Sequence, residues 1–180
     1  MDINFTHILP EIILTFTAVI AIFLDLLIYQ KRILALVCAS GTAFALLFTL
    51  ILVVNQTTGY SFNGIYVIDN FALFIKTVVL ASTLIVLLAS GNYVNRLKTF
   101  QGEYYSLTLF AALGMILLPS LTEFITIVIV LEIQTFSFIA LTALSKETRS
   151  LEASLKFLLL SAVATCILLY GMSFIFGLTG

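Results

Sequence analysis

Charge is what this sequence has least of. Aspartate, glutamate, lysine and arginine make up 9% of its 180 residues, against 62% hydrophobic residues. A soluble domain carries about 25% charged and about 45–50% apolar residues. A soluble fold of this size would have too little polar surface to cover itself. A bilayer removes that requirement, and each helix that spans it needs about 20 mostly apolar residues. The net charge of -1 offers no footprint for a nucleic acid. Cysteine is scarce as well. Cys38 and Cys166 lie inside apolar runs and read as small packing residues. Without a CxxC pair there is no support for a cysteine-ligated cluster or zinc site. The single histidine, His7, cannot supply the paired axial ligands of a membrane cytochrome b. No Walker or GxGxxG phosphate loop occurs, so no nucleotide site is visible. The stretch from Met1 to Pro10 has no basic n-region and no small-residue cleavage site, and it reads as a mature end rather than a signal peptide.

What the sequence does have is long apolar runs. Six stand out, at about 8–29, 33–54, 71–91, 104–119, 122–144 and 153–177. Helices satisfy every backbone group within lipid, and the runs do not alternate as barrel strands would. The expected fold is all-α, a multi-pass transmembrane bundle of six spans forming one membrane domain over residues 1–180. The longest polar connection, Asn55 to Asn70, contains Asn63–Gly64 followed by Ile65, Tyr66 and Val67, which predicts a short hairpin. Pro119 and Ser120 mark the turn between the fourth and fifth spans.

The basic residues set the orientation. Lys31 and Arg32 follow the first span, Arg96 and Lys98 the third, Lys146 and Arg149 the fifth. The even-numbered loops and both termini carry none. The positive-inside rule places the odd loops on the inner side and both termini outside.

Two lysines and several acids remain inside apolar runs. A charge at the bilayer centre costs about 2.5–3.5 kcal/mol on insertion scales, so it is usually paired or functional. Glu132 is the sharpest case, about 15 Å from the outer end of the fifth span at about 1.5 Å per residue. A carboxylate stem is too short to reach water from there. Gln134, Thr135 and Ser137 are placed to hold water near it. Lys156 lies about 6 Å from the inner end of the sixth span, where a snorkelling side chain is an alternative to a relay role. Lys76 lies about 10 Å below the outer end of the third span, placed either for conduction or for a pair with another helix. Asp25 is within reach of the inner interface and Glu11 of the outer one, and both read as structural. Glu132 and Lys156 differ in depth by roughly 12 Å, too far for a simple salt bridge. A carboxylate and a lysine stepped across a membrane suit a proton relay, because burial and neighbouring charge tune lysine toward neutrality.

The run "LEIQTFSFIALTAL" and the run "SLEASLKFLLLSAVATCILLYGMSFIFGLTG" resemble subunit 2 of respiratory NADH:quinone oxidoreductase, complex I. Glu132, Glu152, Ala153, Lys156, Tyr170, Gly171, Gly177, Thr179 and Gly180 match that family's pattern, while Phe157 and Ser161 replace its usual Tyr and Gly. "ILPEIILT" and "DNFALF" resemble its opening helices. The resemblance implies a proton-translocating, antiporter-like membrane-arm subunit, with Glu132 and Lys156 in the relay and Lys76 a secondary candidate. In that family the fifth-helix glutamate pairs with a seventh-helix lysine. Family members usually have fourteen helices, or eleven in some animals, so this chain is expected to be the first part of a longer antiporter-like fold, truncated or split, with a separate chain carrying the remaining helices. The resemblance further implies other complex I membrane-arm subunits and lipids as partners and no cofactor on this chain. NADH, FMN, iron–sulfur clusters and quinone are expected on other subunits, in the mitochondrial inner membrane or, alternatively, a bacterial plasma membrane. Two other functions fit the same relay residues: a subunit of a multi-subunit cation/proton antiporter, and a non-conducting scaffold.

Orientation is testable directly. Single cysteines introduced at Asn63 and at Lys146 should label from opposite sides of sealed membranes, Asn63 from outside. Labelling of Asn63 from the inner side would reverse the assignment.

Overall fold

The computed structural model describes residues 5–27, 31–94 and 100–179. Arg96, Lys98 and the last two residues of the first predicted span lie outside the described residues, and so do the side chains of Lys31 and Arg32. The chain is a bundle of six membrane-spanning helices with a small hairpin at one end. The helices are α1 (Leu9–Leu27), α2 (Lys31–Val54), α3 (Asn70–Ala89), the single turn α4 (Gly91–Val94), α5 (Gln101–Leu117), α6 (Phe124–Ala143) and α7 (Thr148–Thr179). All but α4 are long and apolar enough to cross a membrane.

Helix ends follow local chemistry. Asp69 caps α3 by accepting from the Ala72 backbone N–H at 2.7 Å, which satisfies one of the free donors of a first turn. Pro119 falls in a 3-10 turn, Leu118–Ser120, that ends α5, because proline cannot supply the N–H a continuing helix needs. The last helix begins five residues before its apolar run. Apolarity marks only the part of a helix that meets lipid, whereas backbone hydrogen bonding continues into the polar "TRSLE" stretch.

The predicted hairpin is present. β1 (Gly59–Ser61) pairs antiparallel with β2 (Tyr66–Ile68), with Tyr60 opposite Val67 and Ser61 opposite Tyr66. Its turn needs left-handed backbone at Phe62, Asn63 and Gly64, with Gly64 at φ +89°, where glycine meets no Cβ penalty. The hairpin is tied to the loop between α5 and α6. The Thr122 N–H donates to the Ile65 carbonyl at 3.1 Å, and the Thr122 hydroxyl donates to the Gly64 carbonyl at 2.7 Å. This clamp turns Tyr66 inward over the bundle end, where it packs with Leu52, Ile68 and Leu73.

The main core lies between α1, α2, α3 and α5. It contains Leu14, Ala18, Ala21, Cys38, Ala45, Leu80, Leu109, Ala112 and Ile116. Small residues are frequent there, as expected where lipid gives no hydrophobic drive between helices and close backbone approach supplies the packing. Buried Thr42 and Thr49 return their hydroxyls to carbonyls of their own helix, so neither donor is stranded in the core. Gly41 shows how tight the fit is, since a Cβ there would overlap the Thr17 side chain of α1. Gly114 plays the same part for α5, where a Cβ would come within 2.8 Å of Gln134 Cβ on α6.

The remaining two helices are peripheral. α6 packs on α5, and α7 packs on α6. Of α7 only Ser154 is buried, and Leu159, Leu160, Ile167 and Phe176 stand exposed.

Overpacking the α1–α2 contact should be measurable. Gly41→Leu should destabilise the protein by about 1–3 kcal/mol, seen as a lower melting temperature in detergent. Gly91→Ala, where nothing lies within 4 Å, should leave the melting temperature unchanged.

Candidate functional site

Two polar constellations lie inside the bundle, and the more completely buried one includes Lys76. This lysine is the seventh residue of α3, about 9 Å along the helix, and it is 1% exposed. Its ammonium does not rise to the interface. It meets Glu11 of α1 at 2.8 Å and donates to the Tyr66 hydroxyl at 2.6 Å. The Tyr66 hydroxyl in turn donates to Glu11 Oε1 at 2.7 Å. The Tyr66 ring also lies beneath the ammonium, 4.8 Å from nitrogen to centroid, a distance at which the ring face attracts a cation. Three chain segments thus meet at one triangle of polar atoms. Burial, and then the Glu11 carboxylate, push the Tyr66 phenol above its usual range, so it remains a protonated donor.

The expectation that Glu11 reaches the outer interface is corrected here. Glu11 is 3% exposed, because the hairpin folds across the end of α1 and covers it. Its second oxygen, Oε2, is buried without a hydrogen-bond partner. One turn earlier, His7 Nδ1 lies 2.9 Å from Ser61 Oγ, and Ser61 is the residue facing Tyr66 across the hairpin. His7 and Ser61 are both buried.

The second constellation surrounds Glu132. It is the ninth residue of the 20-residue α6, about 12 Å along a helix of about 30 Å, so it sits near the middle of its span. Among the described residues no lysine is brought to it. Its Oε1 accepts a hydrogen bond from the Thr165 hydroxyl of α7 at 2.6 Å. Thr135 and Ser137 donate to the Leu131 and Ile133 carbonyls of their own helix. Gln134 turns toward α5, with its Oε1 buried and unpartnered.

Lys156 is not brought to Glu132 either. Its ammonium bonds Glu152 Oε1 at 2.6 Å, one turn back on α7, with both side chains more than 60% exposed. Asp25 packs closely against Gly102 of α5, where a Cβ would overlap its carboxylate. Tyr66 and Thr165 escaped the reading of the sequence, since a tyrosine in a hairpin and a threonine in an apolar helix carry no signal of what they face. An unpaired buried lysine was the available clue to a buried acid partner. Choosing Glu11 among the acids needed the fold.

The buried pair should show strong coupling. Lys76→Met leaves the Glu11 carboxylate buried without its cation and should cost about 3–5 kcal/mol. The double change Glu11→Gln with Lys76→Met should recover most of that loss. Thermal melting of the detergent-solubilised protein, run as a double-mutant cycle, measures it.

The profile of a family described as NADH:quinone oxidoreductase/Mrp antiporter, TM, matches residues 120–180. NADH-quinone oxidoreductase subunit N of Dehalococcoides mccartyi is 37% identical over 173 residues, 96% of this chain and 36% of that protein. The protein of the same name from Desulforamulus reducens is 37% identical over 183 residues, 100% of this chain and 38% of its own length. Among solved structures, respiratory complex I from Thermus thermophilus with bound Aureothin contains a chain that superposes with a TM-score of 0.80 at 27% identity. That match covers 95% of this chain and 37% of the other. The chain therefore spans a little over a third of the length of these relatives. It is a multi-pass membrane protein, similar over residues 120–180 to that transmembrane antiporter family and over nearly its whole length to these N subunits of NADH-quinone oxidoreductase.

Proposed function

We propose that the chain forms the first part of a proton-translocating membrane-arm subunit of NADH:quinone oxidoreductase. Glu132 carries this reading. It is a carboxylate near the middle of a membrane span, held through Oε1 by one hydroxyl on a pair of helices that keep many apolar side chains exposed. An ionisable group at that depth is by default functional. Its role here is to accept and release a proton while Thr165 keeps the carboxyl oriented. The relatives are named NADH-quinone oxidoreductase subunit N, and those names support a quinone-reducing complex as the setting. They favour that reading over a cation/proton antiporter subunit, although the matching family profile spans both. They are bacterial, which favours a plasma membrane over the mitochondrial inner membrane. NADH, flavin, clusters and quinone belong to other subunits in this reading.

The relatives are nearly three times as long as this chain, and the lipid-length helix α7 has almost no buried side chains. In this reading further helices cover α6 and α7 and bring a lysine to Glu132. Lys156 then serves the inner side. Its pairing with Glu152 at an exposed position is worth little on its own, so the pair can open without large cost.

In the assembled complex, Glu132→Gln keeps shape and hydrogen bonding but removes the titration. The number of protons moved per electron should fall while quinone reduction and assembly persist. Lys156→Met should lower the same ratio less. A Glu132→Gln complex pumping at the wild-type ratio would make the carboxylate structural. Crosslinking from Ile167 and Phe176 should capture neighbouring helices of the same arm; capture of lipid alone would refute the covering helices.

A further inference from the structure

The cluster under the hairpin has the features of a binding site rather than of a fastener. A buried ion pair is weak evidence for stability, because well-packed apolar residues often hold helices as firmly. If α1, α3 and the hairpin needed only to be joined, leaving Glu11 Oε2 buried without a partner would be a cost with no return. Glu11 also contributes to the wall of an open, largely apolar hollow of about 380 Å³ between α1 and α5, lined by Ile8, Thr15, Phe16, Leu113 and Leu117 among others. On the other flank stands His7, the only histidine of the chain and the side-chain type that titrates nearest neutral pH. It is buried beside Ser61 at the hairpin end of the bundle.

We propose that Glu11, Tyr66 and Lys76 form a second proton-binding site, with His7 as its exchange group toward the hairpin-side surface. The inference rests on the proton-translocating reading of the chain, but it concerns residues apart from Glu132. Proton movement within the triangle balances without any outside reactant. The Tyr66 hydroxyl gives its proton to Glu11 Oε1 and takes one from the Lys76 ammonium. An N–H bond of lysine breaks, an O–H bond of the carboxylic acid forms, and tyrosine ends unchanged. The two charges vanish together, so the pair loses its Coulomb attraction without leaving a buried ion behind. In the proposed cycle the neutral acid passes its proton to His7 by way of a water molecule, and a proton from water recharges the Lys76 amine. The groups that meet Glu11 are Tyr66 from β2 and Lys76 from α3, while the His7 ring, one turn earlier, faces Ser61 and Gly59 of the hairpin. The side chains of α5 at the hollow, Leu113 and Leu117, are apolar.

The decisive variants are His7→Gln, which keeps a hydrogen-bonding group beside Ser61 but cannot titrate, and the double change Glu11→Gln with Lys76→Met, which removes both charges together. In the intact complex reconstituted in sealed vesicles, each should lower the protons moved per electron at a preserved rate of quinone reduction. Infrared difference spectra taken on turnover should lose a carboxylic-acid band in the double variant. Glu132→Gln run in parallel separates the two sites. If it alone lowers the ratio while both cluster variants pump as wild type, the cluster is a structural pin and the proposal fails. If the cluster variants lower the ratio and Glu132→Gln does not, the second site stands and the reading of Glu132 falls. A His7→Gln complex that fails to assemble also overturns the proposal, because it shows that the ring serves the fold.

Discussion

A polar group inside a bilayer has no water to turn to, and this chain is organised by that shortage. Backbone groups meet it by forming helices. Side-chain hydroxyls meet it by returning to their own helix, as Thr42, Thr83 and Thr135 do. Lys76 has neither option. Its charge lies one side chain's length inside a packed core, and everything around it is arranged to answer it: a carboxylate from α1, a hydroxyl and a ring face from the hairpin. The hairpin can supply these only because Thr122 holds it down on the bundle end.

The two ends of the molecule differ in how far this has been carried. In the core of α1, α2, α3 and α5 Lys76 is answered by a carboxylate and a hydroxyl, and small residues bring the helices into contact. Along α6 and α7 the surface is apolar and exposed, and Glu132 holds a single hydroxyl. A carboxylate so lightly held can change its proton or its partner, whereas one locked between a lysine and a tyrosine can change only if both partners shift with it. The same residue type thus takes two different chemical characters within one bundle.

Much of the fold was readable from single residues. The apolar runs located all six spans, and their limits err where helices continue beyond lipid, as at Thr148, or end in a turn, as at Leu118–Ser120. Asn63–Gly64 announced the hairpin, since few other residue pairs accept left-handed backbone so readily. Glu132 announced itself as a carboxylate with no route to water. Glu11 was misjudged, because distance from a helix end measures reach to an interface only when nothing folds over that interface.

What the sequence determined by itself was hydrophobic length and the places where charge interrupts it. Those are properties of one segment at a time, and burying apolar side chains in lipid costs nothing that depends on neighbours. Partnership was decided only in three dimensions. Whether Lys76 meets Glu11, whether Tyr66 stands between them, and whether Glu132 finds Thr165 rather than a lysine all depend on the rotation and register of helices packed against each other. Those follow from contacts such as Gly41 on Thr17 and Gly114 on Gln134. Van der Waals fit of that kind leaves no period in the sequence from which to read it.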